Sequence, residues 1–394
     1  MNTERVVEFD DDRLTYKKEG DTSVIGTPAD ASGNTAPRVL YLPNEGDFQE
    51  GTGQVGGRAA FHEMEQDGTI KELSVYSFLA DFRVDRKKAR SHQNLVDKAR
   101  AFQPDIIFWQ HPQDFPVDMD LLRAVRACGS SPLIAYHEAD PFDRLYKPLD
   151  KAAKTLYADS DVFFTVALGM ARRVFNEVRV HPHFYYSSHC FDRERFGSTP
   201  PDPSLVGTKY DAVMFGNIGT RFRVIKQPDS MQRVRLARGL TKLFGDRFAA
   251  FGNNWPSETN CHGPFPYGKQ TEMIQVSRMS TIWELYPNHT FYFSDRLPIA
   301  LAAGVPFITN GRSGYDSLLA NAPGVFRVDS IEGALDTALY LKSLPIEEIV
   351  AIGSAARTWA FENLEARKVF RRAFDICRRE WQNKQRDIGV IAKQ

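Results

Sequence analysis

The sequence predicts an α/β protein made of two doubly wound domains. From Arg38 onward, short apolar segments typical of buried strands alternate with segments that carry apolar residues at helical spacing. Strands separated by helices of this length favour a parallel sheet covered on both faces. The chain has 394 residues, which is too long for one ordinary core. A Pro- and Gly-rich segment at residues 197–208 divides the alternation into two parts.

Each part has its own series of elements. The first part is expected to contain the strands RVLYLP, ELSVYSFL, DIIFW, PLIAY and VFFTV, with helices at RAAFHEMEQDG, 89–103, VDMDLLRAVRACG and 169–177. The second is expected to contain the strands DAVMFG, RFAAFG, STIWELYP, VPFIT and VFRV, with a helix at 230–244. We therefore expect an N-terminal appendage at 1–36, a Rossmann-like domain at 37–196, a hinge linker at 197–208 and a second Rossmann-like domain at 209–394. The last helices are candidates for packing back on the first domain.

The composition narrows the class of protein. Fifty basic residues balance fifty acidic ones, so the whole chain has no charge excess for nucleic acid or an anionic membrane. A local basic track from residues 83–92 and the arginines between Arg221 and Arg238 stays open. Four scattered cysteines and the lack of a secretory leader favour a reducing, cytoplasmic location. No segment has the ~20 apolar residues that a membrane-spanning helix needs.

Polar side chains follow two strands of the first part. His111 comes after DIIFWQ, and His137, Glu138 and Asp140 come at the end of PLIAY or just after it. Chemistry in α/β folds is concentrated at the carboxyl ends of parallel strands. His137, Glu138 or Asp140 is therefore a candidate general base for an acceptor hydroxyl. The alternative for Asp140 is a helix N-cap followed by Pro141.

A glycine-rich loop, GTGQVGGR, links the first strand to the first helix. Gly53, Gly56 and Gly57 would let backbone N–H groups approach a ligand. We group Arg58 and His111 with them on the acceptor side. The spacing does not match a dinucleotide-binding loop, and a flexible surface loop is the alternative.

The second part opens with a strand, a glycine turn and arginines. Gly216 and Asn217 end the strand, and Arg223 follows in the loop, which makes a candidate cradle for a diphosphate. Arg233, on the next helix, is expected on a solvent-exposed face.

Two later segments add candidates for a ligand site. Tyr267 and Gly268 precede a helix, where the ring either stacks on a nucleobase or caps the core. The run from Phe293 to Leu319 predicts a polar turn, a short helix, a Gly turn, a buried strand and a Gly-bearing loop that opens another helix. Such a run builds a ligand crevice at the carboxyl end of parallel strands.

Three histidines, His181, His183 and His189, lie near the linker. The H-x-H pair hints at a metal, but no carboxylate or cysteine has a familiar spacing to it. Packed or solvated histidines are the preferred interpretation, and no metal site is predicted.

The second part resembles the GT-B glycosyltransferases, and among them the CgeB-like family with bacterial and phage members. The resemblance rests on segments that follow one another in order: HCFDRERF, VMFGN, FAAFGNNW, PYGKQTEMIQVSRMSTIWEL, SDRLPIALAAGVPFITNGRSGYDSLL and ENLEARKVF. It implies a GT-B fold, in which two Rossmann-like domains face a cleft, the first binding the acceptor and the second a nucleotide-sugar donor. The donor-binding candidates are Gly216, Asn217, Arg223, Tyr267, Gly268, Asp295, Arg296, Gly304, Asn310, Gly314, Tyr315 and Asp316.

The resemblance also implies individual roles. Arg296 would bind a phosphate, and Gly304 would be a packing turn. Asn310, Gly314 and Tyr315 would line the donor sugar or its phosphates, with the helix near Tyr315 turning its positive end to the anion.

One position departs from the family pattern. Many GT-B enzymes have a glutamate three residues after the arginine, where it holds the ribose hydroxyls, and here that position is Ile299. Isoleucine accepts no hydrogen bond. Either Asp295 or Asp316 holds the ribose, or the donor is atypical, or the chain has lost catalysis.

The expected function is that of a metal-independent glycosyltransferase. It would move a hexosyl or pentosyl group from a nucleotide-diphosphate sugar, most simply a UDP-sugar, to an acceptor hydroxyl, without a further cofactor. The acceptor stays open between a polysaccharide, a protein, a metabolite and a hydroxymethylated base of phage DNA. The alternative is a catalytically inactive GT-B protein that serves in binding or assembly. The oligomeric state is not predicted.

Overall fold

The computed structural model describes residues 36–46, 55–221 and 225–391. Two parallel sheets dominate it. The strands of the first sheet are β1 (Arg38–Leu42), β2 (Glu72–Val75), β3 (Ile106–Gln110), β4 (Leu133–Glu138), β5 (Val162–Thr165) and β6 (Phe184–Tyr186). The accompanying helices are α1 (Val55–Gln66), α2 (Phe78–Asp85), α3 (Lys88–Phe102), α4 (Met119–Arg126), α5 (Lys151–Asp159) and α6 (Met170–Asn176).

The second sheet follows a short connecting segment. Its strands are β7 (Tyr210–Phe215), β10 (Phe248–Phe251), β11 (Ser277–Ile282), β12 (Phe307–Asn310) and β13 (Val325–Val328), while β8 (Thr220–Arg221) and β9 (Ile225–Lys226) form a separate antiparallel pair. The remaining helices are α7 (Ser230–Phe244), α8 (Gln270–Gln275), α9 (Arg296–Ala302), α10 (Tyr315–Leu318), α11 (Ile331–Ser343), α12 (Ile346–Asn363) and α13 (Ala366–Ile391).

The two sheets share one topology. The first has the order β2-β1-β3-β4-β5-β6 and the second the order β10-β7-β11-β12-β13. In each sheet the first strand lies between its second and third strands, so the strand order reverses there. A parallel sheet opens a crevice at such a reversal, outside the carboxyl ends of the strands. The topology therefore places one crevice beyond β1 and β3 and another beyond β7 and β11.

Continuous apolar strands account for the buried sheets. All five residues of β3 and all six of β7 are buried, as expected where helices cover both faces of a parallel sheet. Side-chain caps fix several helix starts: Asp118 Oδ1 accepts from the N–H of Leu121 (2.9 Å), and Asp150 Oδ1 accepts from the N–H of Ala153 (2.7 Å).

Three expectations about local structure are wrong. Asp140 caps no helix, because the chain after it is irregular until α5. ELSVYSFL is a strand only to Val75, and its end belongs to α2. STIWELYP is a strand only to Ile282, so Trp283 and Glu284 lie beyond the strand end, at the edge where ligands bind.

The last helix returns to the first sheet. Phe370, Phe374 and Trp381 of α13 pack in one cluster with residues of β1, β3 and α1. Next to this return, the N–H of Phe191 donates to Leu364 O (3.1 Å) where the chain runs from the first sheet toward the second. The chain therefore passes between the two sheets at two adjacent points. The domain boundaries themselves stay a prediction.

The loop after β11 contacts the first part of the chain through hydrogen bonds. The N–H of Leu168 donates to Thr290 O (2.9 Å), and His289 Nε2 lies 2.8 Å from Phe142 O. Tyr186 Oη donates to Phe291 O (2.9 Å). Among the described residues, every helix is too short or too polar to cross a lipid bilayer.

Candidate functional site

His111 joins the carboxyl ends of β3 and β4. Its Nδ1 lies 2.8 Å from Glu138 Oε2, and its Nε2 lies 3.2 Å from Asp140 Oδ2. Glu138 also accepts hydrogen bonds from Tyr136 Oη and from the backbone N–H of Asp140 (2.7 Å). Lys147 Nζ forms an ion pair with Asp140. We call His111, Glu138, Asp140 and Lys147 the histidine–carboxylate cluster.

Opposite charges in this cluster stabilise the ionised forms of His111 and Asp140. Burial opposes protonation of His111, but Glu138 and Asp140 outweigh it and raise the pKa of His111. Burial also opposes ionisation of Asp140, but His111 and Lys147 outweigh it and lower the pKa of Asp140. Asp140 is therefore an ionised acceptor of hydrogen bonds and a weak base.

The ligand atoms of this cluster are close enough together to be compared with a metal site. Ligand atoms of His111, Glu138 and Asp140 lie within 4.8 Å of one another. Lys147 already places an ammonium group on Asp140, where a metal ion would need the same oxygen. The cluster thus fits the binding of a polar acceptor better than the binding of a metal.

His137 lies on the other face of β4 from Glu138, because successive side chains of a strand point to opposite faces. Its Nε2 is 3.0 Å from Ser187 Oγ, and its ring lies 5.5 Å from the ring of Phe370 in α13. Burial lowers the pKa of His137 to about 4. The structure thus places His137 in the core as a neutral imidazole, away from the edge that the cluster occupies.

The acceptor-side glycines lie partly in a helix. Gly53 is outside the described residues, whereas Gly56 and Gly57 are buried in the first turn of α1. The N–H of Gly56 donates to Asp192 Oδ1 (2.9 Å), and a Cβ at Gly57 would lie 2.3 Å from Tyr41 Oη. These two glycines thus let α1 pack closely against β1 and the segment between the sheets.

Arg58 does reach the ligand edge of the first sheet. Its Nε donates to Glu45 Oε1 (2.6 Å), and its Nη2 donates to Ser77 Oγ (2.7 Å). Glu45 follows β1 and is buried, whereas the Arg58 side chain is 38% exposed. Arg58 therefore contributes charge at the edge beside β1 and β2.

Arg296 provides a guanidinium at the start of α9. Its Nη1 donates to Asp295 Oδ1 (3.0 Å), and Tyr267 Oη donates to Asp295 Oδ2 (2.8 Å). Arg296 Nε is buried without a partner, and Nη2 makes no hydrogen bond within the described part of the chain. The Nε–Nη2 edge is one of the two edges with which arginine binds phosphate in a bidentate manner. The arginine is thus held by one edge and open on the other.

Arg233 lies across the reversal point of the second sheet. From α7, its Nε donates to Trp283 O beyond β11 (2.9 Å) and its Nη1 donates to Asn217 O beyond β7 (3.0 Å). It is buried, and no carboxylate among the described residues forms an ion pair with it. Burial, and then the charge of Arg296, lower the pKa of Arg233 to about 10. The expected solvent-exposed position of Arg233 is therefore wrong.

Glu284 places a carboxylate among these arginines. Its Oε1 accepts from the N–H of Ser294 (3.0 Å) and from Ser294 Oγ (2.7 Å), whereas Oε2 makes no hydrogen bond with the described residues. Asn310 fixes the Glu284 backbone, since its Oδ1 accepts from the N–H of Glu284 (2.6 Å). We call Arg233, Glu284, Asp295 and Arg296 the arginine cluster. Asn310 itself lies outside this cluster and holds the backbone of Glu284 in position.

Gly216 and Asn217 shape the loops beyond β7 and β10. Trp255 Nε1 donates to Gly216 O (2.8 Å), and Asn217 Oδ1 accepts from the N–H of Asn253 (2.8 Å). A Cβ at Gly216 would lie 3.1 Å from Arg233 Nη1. Gly216 therefore leaves room for the buried arginine. Arg223 is outside the described residues.

The other predicted donor residues divide between packing and surface. Gly304 has a φ of +80°, and a Cβ there would lie 2.8 Å from Pro201 Cγ, which agrees with a packing turn. A Cβ at Gly314 would lie 2.2 Å from the Phe291 ring. Near Gly268, a Cβ would meet the Arg195 side chain at 3.3 Å.

Tyr315 and Asp316 border a separate cavity of about 500 Å³ beyond β12 and β13. Tyr315 is buried, and its Oη donates to Tyr292 O (2.7 Å). Asp316 is fully exposed and pairs with Arg327 (2.5 Å). The helix that starts at Tyr315 has four residues, so its dipole is weak.

Known structures resemble the chain over most of its length, although no family model and no curated protein matches its sequence. Anabaena Alr3699/HepE, in complex with UDP and glucose, is 10% identical with a TM-score of 0.53, and the match covers 86% of this chain and 98% of HepE. An alpha-glucosyltransferase in complex with UDP-glucose and DNA containing an abasic site is 14% identical with a TM-score of 0.54, covering 86% and 99%. A glycosyltransferase from Rickettsia africae ESF-5 is 11% identical with a TM-score of 0.55, covering 88% and 99%.

The chain has the GT-B fold. The expected fold is confirmed, whereas the narrower resemblance to the CgeB-like family stays a prediction. In the GT-B fold the two sheets form the two walls of a cleft. Here the histidine–carboxylate cluster lies on one wall and the arginine cluster on the other.

The sequence did not predict that two residues of the arginine cluster, Arg233 and Glu284, belong to the site. Arg233 lies on a helix whose other arginines are exposed, and only the positions of the Asn217 and Trp283 carbonyls explain why it is buried. Glu284 lies in the segment STIWELYP, which the sequence predicts to be a strand over its whole length. The signal that was available is a lone acidic residue directly after a run of strand-forming residues.

Proposed function

We propose that the chain is a glycosyltransferase that binds a nucleoside-diphosphate sugar against the second sheet and transfers the sugar to a hydroxyl group. One observation carries the proposal: two guanidinium groups with N–H groups that are unpaired among the described residues, those of Arg233 and Arg296, lie at the reversal point of the second sheet. Arg233 Nη2 makes no hydrogen bond with the described residues, and neither does the Nε–Nη2 edge of Arg296. The phosphate oxygens of a diphosphate can accept hydrogen bonds from these unpaired N–H groups.

The donor is proposed to be a UDP-sugar. The support is that structures with the same fold were solved in complex with UDP-glucose and with UDP. Ile299 is buried in the core and cannot hold ribose, so another acceptor of hydrogen bonds is needed. Glu284 Oε2 is open and lies in the arginine cluster, and we propose it for a donor hydroxyl. Asp295 is less free, because Tyr267 and Arg296 engage both its oxygens.

The acceptor is proposed to bind at the histidine–carboxylate cluster. Asp140 keeps a third of its side chain exposed and accepts hydrogen bonds, which suits a hydroxyl. A DNA acceptor finds little support in the basic track at residues 83–92. Three of its five Lys and Arg residues pair with carboxylates: Arg83 with Asp114, Lys88 with Asp118 and Arg90 with Asp85. DNA binding with a steep dependence on salt would revive that acceptor.

Metal-independent transfer is part of the proposal, since the two arginines can offset the charge of the leaving diphosphate. A cytoplasmic location is proposed as well, because the four cysteines are unpaired.

The test is a panel of nucleotide sugars measured by thermal shift, followed by release of the nucleoside diphosphate. We expect one donor to raise the melting temperature and then to be cleaved. Replacement of Arg296 by alanine is expected to remove that stabilisation, whereas replacement of Arg238, which is 45% exposed and pairs with Glu258, should keep it. Stabilisation without any release would instead support a binding protein, and no stabilisation by any donor would refute the proposal.

A further inference from the structure

His189 lies where the two walls of the cleft meet. It follows β6 in the segment that runs from the first sheet to the second, and its side chain is partly exposed. Its ring centroid is 5.9 Å from that of Tyr292 and 6.5 Å from that of Phe293, both from the second part of the chain. The imidazole therefore belongs to the first part by sequence and rests on the second.

Both clusters act on this imidazole. Asp140 of the histidine–carboxylate cluster and Asp295, Glu284 and Arg296 of the arginine cluster all lie close enough for their charges to affect it. Neither ring nitrogen of His189 has a hydrogen-bond partner in the described ranges 36–46, 55–221 and 225–391. An imidazole with two unused nitrogens thus lies between the proposed acceptor site and the proposed phosphate site.

Its protonation state suits a base. Burial lowers the pKa of His189 below that of a free histidine, although the three carboxylates oppose this effect and Arg296 adds to it. His189 is therefore neutral at pH 7 and has a lone pair available.

The other titratable groups of the first wall are less suited to accept a proton. Glu138 is fully buried, and its oxygens accept hydrogen bonds from Tyr136, His111 and the N–H of Asp140. Asp140 has a lowered pKa and an ammonium partner. His137, which also lies near His189, points into the core.

We infer that His189 is the catalytic base that takes the proton of the acceptor hydroxyl. This inference rests on the proposed function. The acceptor oxygen forms a bond to C1 of the sugar, and the bond from C1 to the β-phosphate oxygen breaks with its electron pair on the phosphate. The hydroxyl proton moves to the free nitrogen of His189 and later leaves to solvent. Asp140 and Asp295 stabilise the imidazolium, and Arg233 and Arg296 stabilise the departing UDP.

The experiment compares His189→Asn with His183→Asn. Asparagine removes the base but keeps a polar side chain. His183 is a matched control, because it is 41% exposed and lies just before β6, beside Glu380. UDP affinity is measured by calorimetry, and UDP release is measured from UDP-glucose with water as the acceptor. We expect His189→Asn to bind UDP within about threefold of wild type and to release it about 100-fold more slowly, as expected for loss of a general base. His183→Asn should match wild type in both.

The pH dependence separates a base from a merely structural residue. Release by the wild type should rise with pH up to the pKa of His189, which lies below 6.5, and then level off. His189→Asn should lack this rise. The charged and titratable groups that face His189 are Asp140, Glu284, Asp295, Arg296, His137 and Tyr292.

The outcomes distinguish the inference from the proposed function. If His189→Asn releases UDP at the wild-type rate, or keeps the wild-type pH profile, the inference is refuted and the donor site stands. A wild-type protein that binds UDP but cleaves no UDP-glucose overturns the inference in the same way. A wild-type protein that binds no UDP refutes the donor site and the inference with it.

Discussion

Replacement of Arg233 by methionine should separate ligand binding from folding. Arg233 is 4% exposed, and burial beside Arg296 lowers its pKa to about 10. This lowering corresponds to about 3 kcal/mol against the buried charge. Methionine removes this charge, but it leaves the carbonyls of Trp283 and Asn217 without their donor, at about 1–3 kcal/mol each. The free energy of unfolding should therefore fall by no more than about 3 kcal/mol.

Arg233→Met should reduce the free energy of UDP binding by a larger fraction than it reduces the free energy of unfolding. A hydrogen bond from a charged donor contributes about 1.5–3 kcal/mol, which corresponds to about 10- to 100-fold in affinity. UDP affinity is measured by calorimetry and stability by urea unfolding. Arg238→Met is the control, because Arg238 lies on the same helix, is 45% exposed and pairs with Glu258. Arg233→Met with wild-type UDP affinity would refute the assignment of this arginine to the diphosphate.

Three further predictions concern individual residues. Glu284→Gln should weaken UDP-glucose binding about tenfold in calorimetry, since a neutral amide is a poorer acceptor for a hydroxyl; unchanged affinity would exclude Glu284 from the donor site. Gly304→Ala should lower the free energy of unfolding more than Gly68→Ala, since both have φ near +80° but only Gly304 has a neighbour, Pro201, against its Cβ; equal losses would contradict this packing. Because the folded pKa of His137 is lowered to about 4, its contribution to stability is complete above pH 6.5 and is lost as the pH falls. In urea unfolding, the free energy of unfolding of the wild type should therefore fall by about 2 kcal/mol between pH 6.5 and pH 5 on account of His137. A His137→Gln variant whose free energy of unfolding falls as much over this range would contradict this prediction.

The architecture was predictable because it depends on patterns that survive in a single sequence. Continuous apolar strands such as β3 and β7, separated by helices, require a parallel sheet covered on both faces. The Pro-rich segment at 197–208 follows the last strand of the first sheet and precedes the first strand of the second in the chain. Strand ends were less predictable, because Trp283 and Tyr286 have strand propensity although the pairing of β11 with β12 stops at Ile282.

The candidate site was predictable in part, because the carboxyl ends of strands are visible in the sequence and the depth of a side chain is not. His111, Glu138 and Asp140 come together as a position after strand ends predicts. His137 adjoins Glu138 in sequence but points to the core, since side chains of a strand alternate. The burial of Arg233 could not be predicted, because the sequence does not show that backbone carbonyls beyond two strand ends lie within reach of its guanidinium group.

We propose above all that Arg233 and Arg296, at the reversal point of the second sheet, bind a diphosphate. The most direct measurement is a calorimetric titration of the wild-type chain with UDP and with uridine under the same conditions. Two guanidinium groups that each contribute about 1.5 kcal/mol or more predict UDP binding at least about 100-fold tighter than uridine. Equal affinities for the two ligands, or no binding of UDP, would contradict the account.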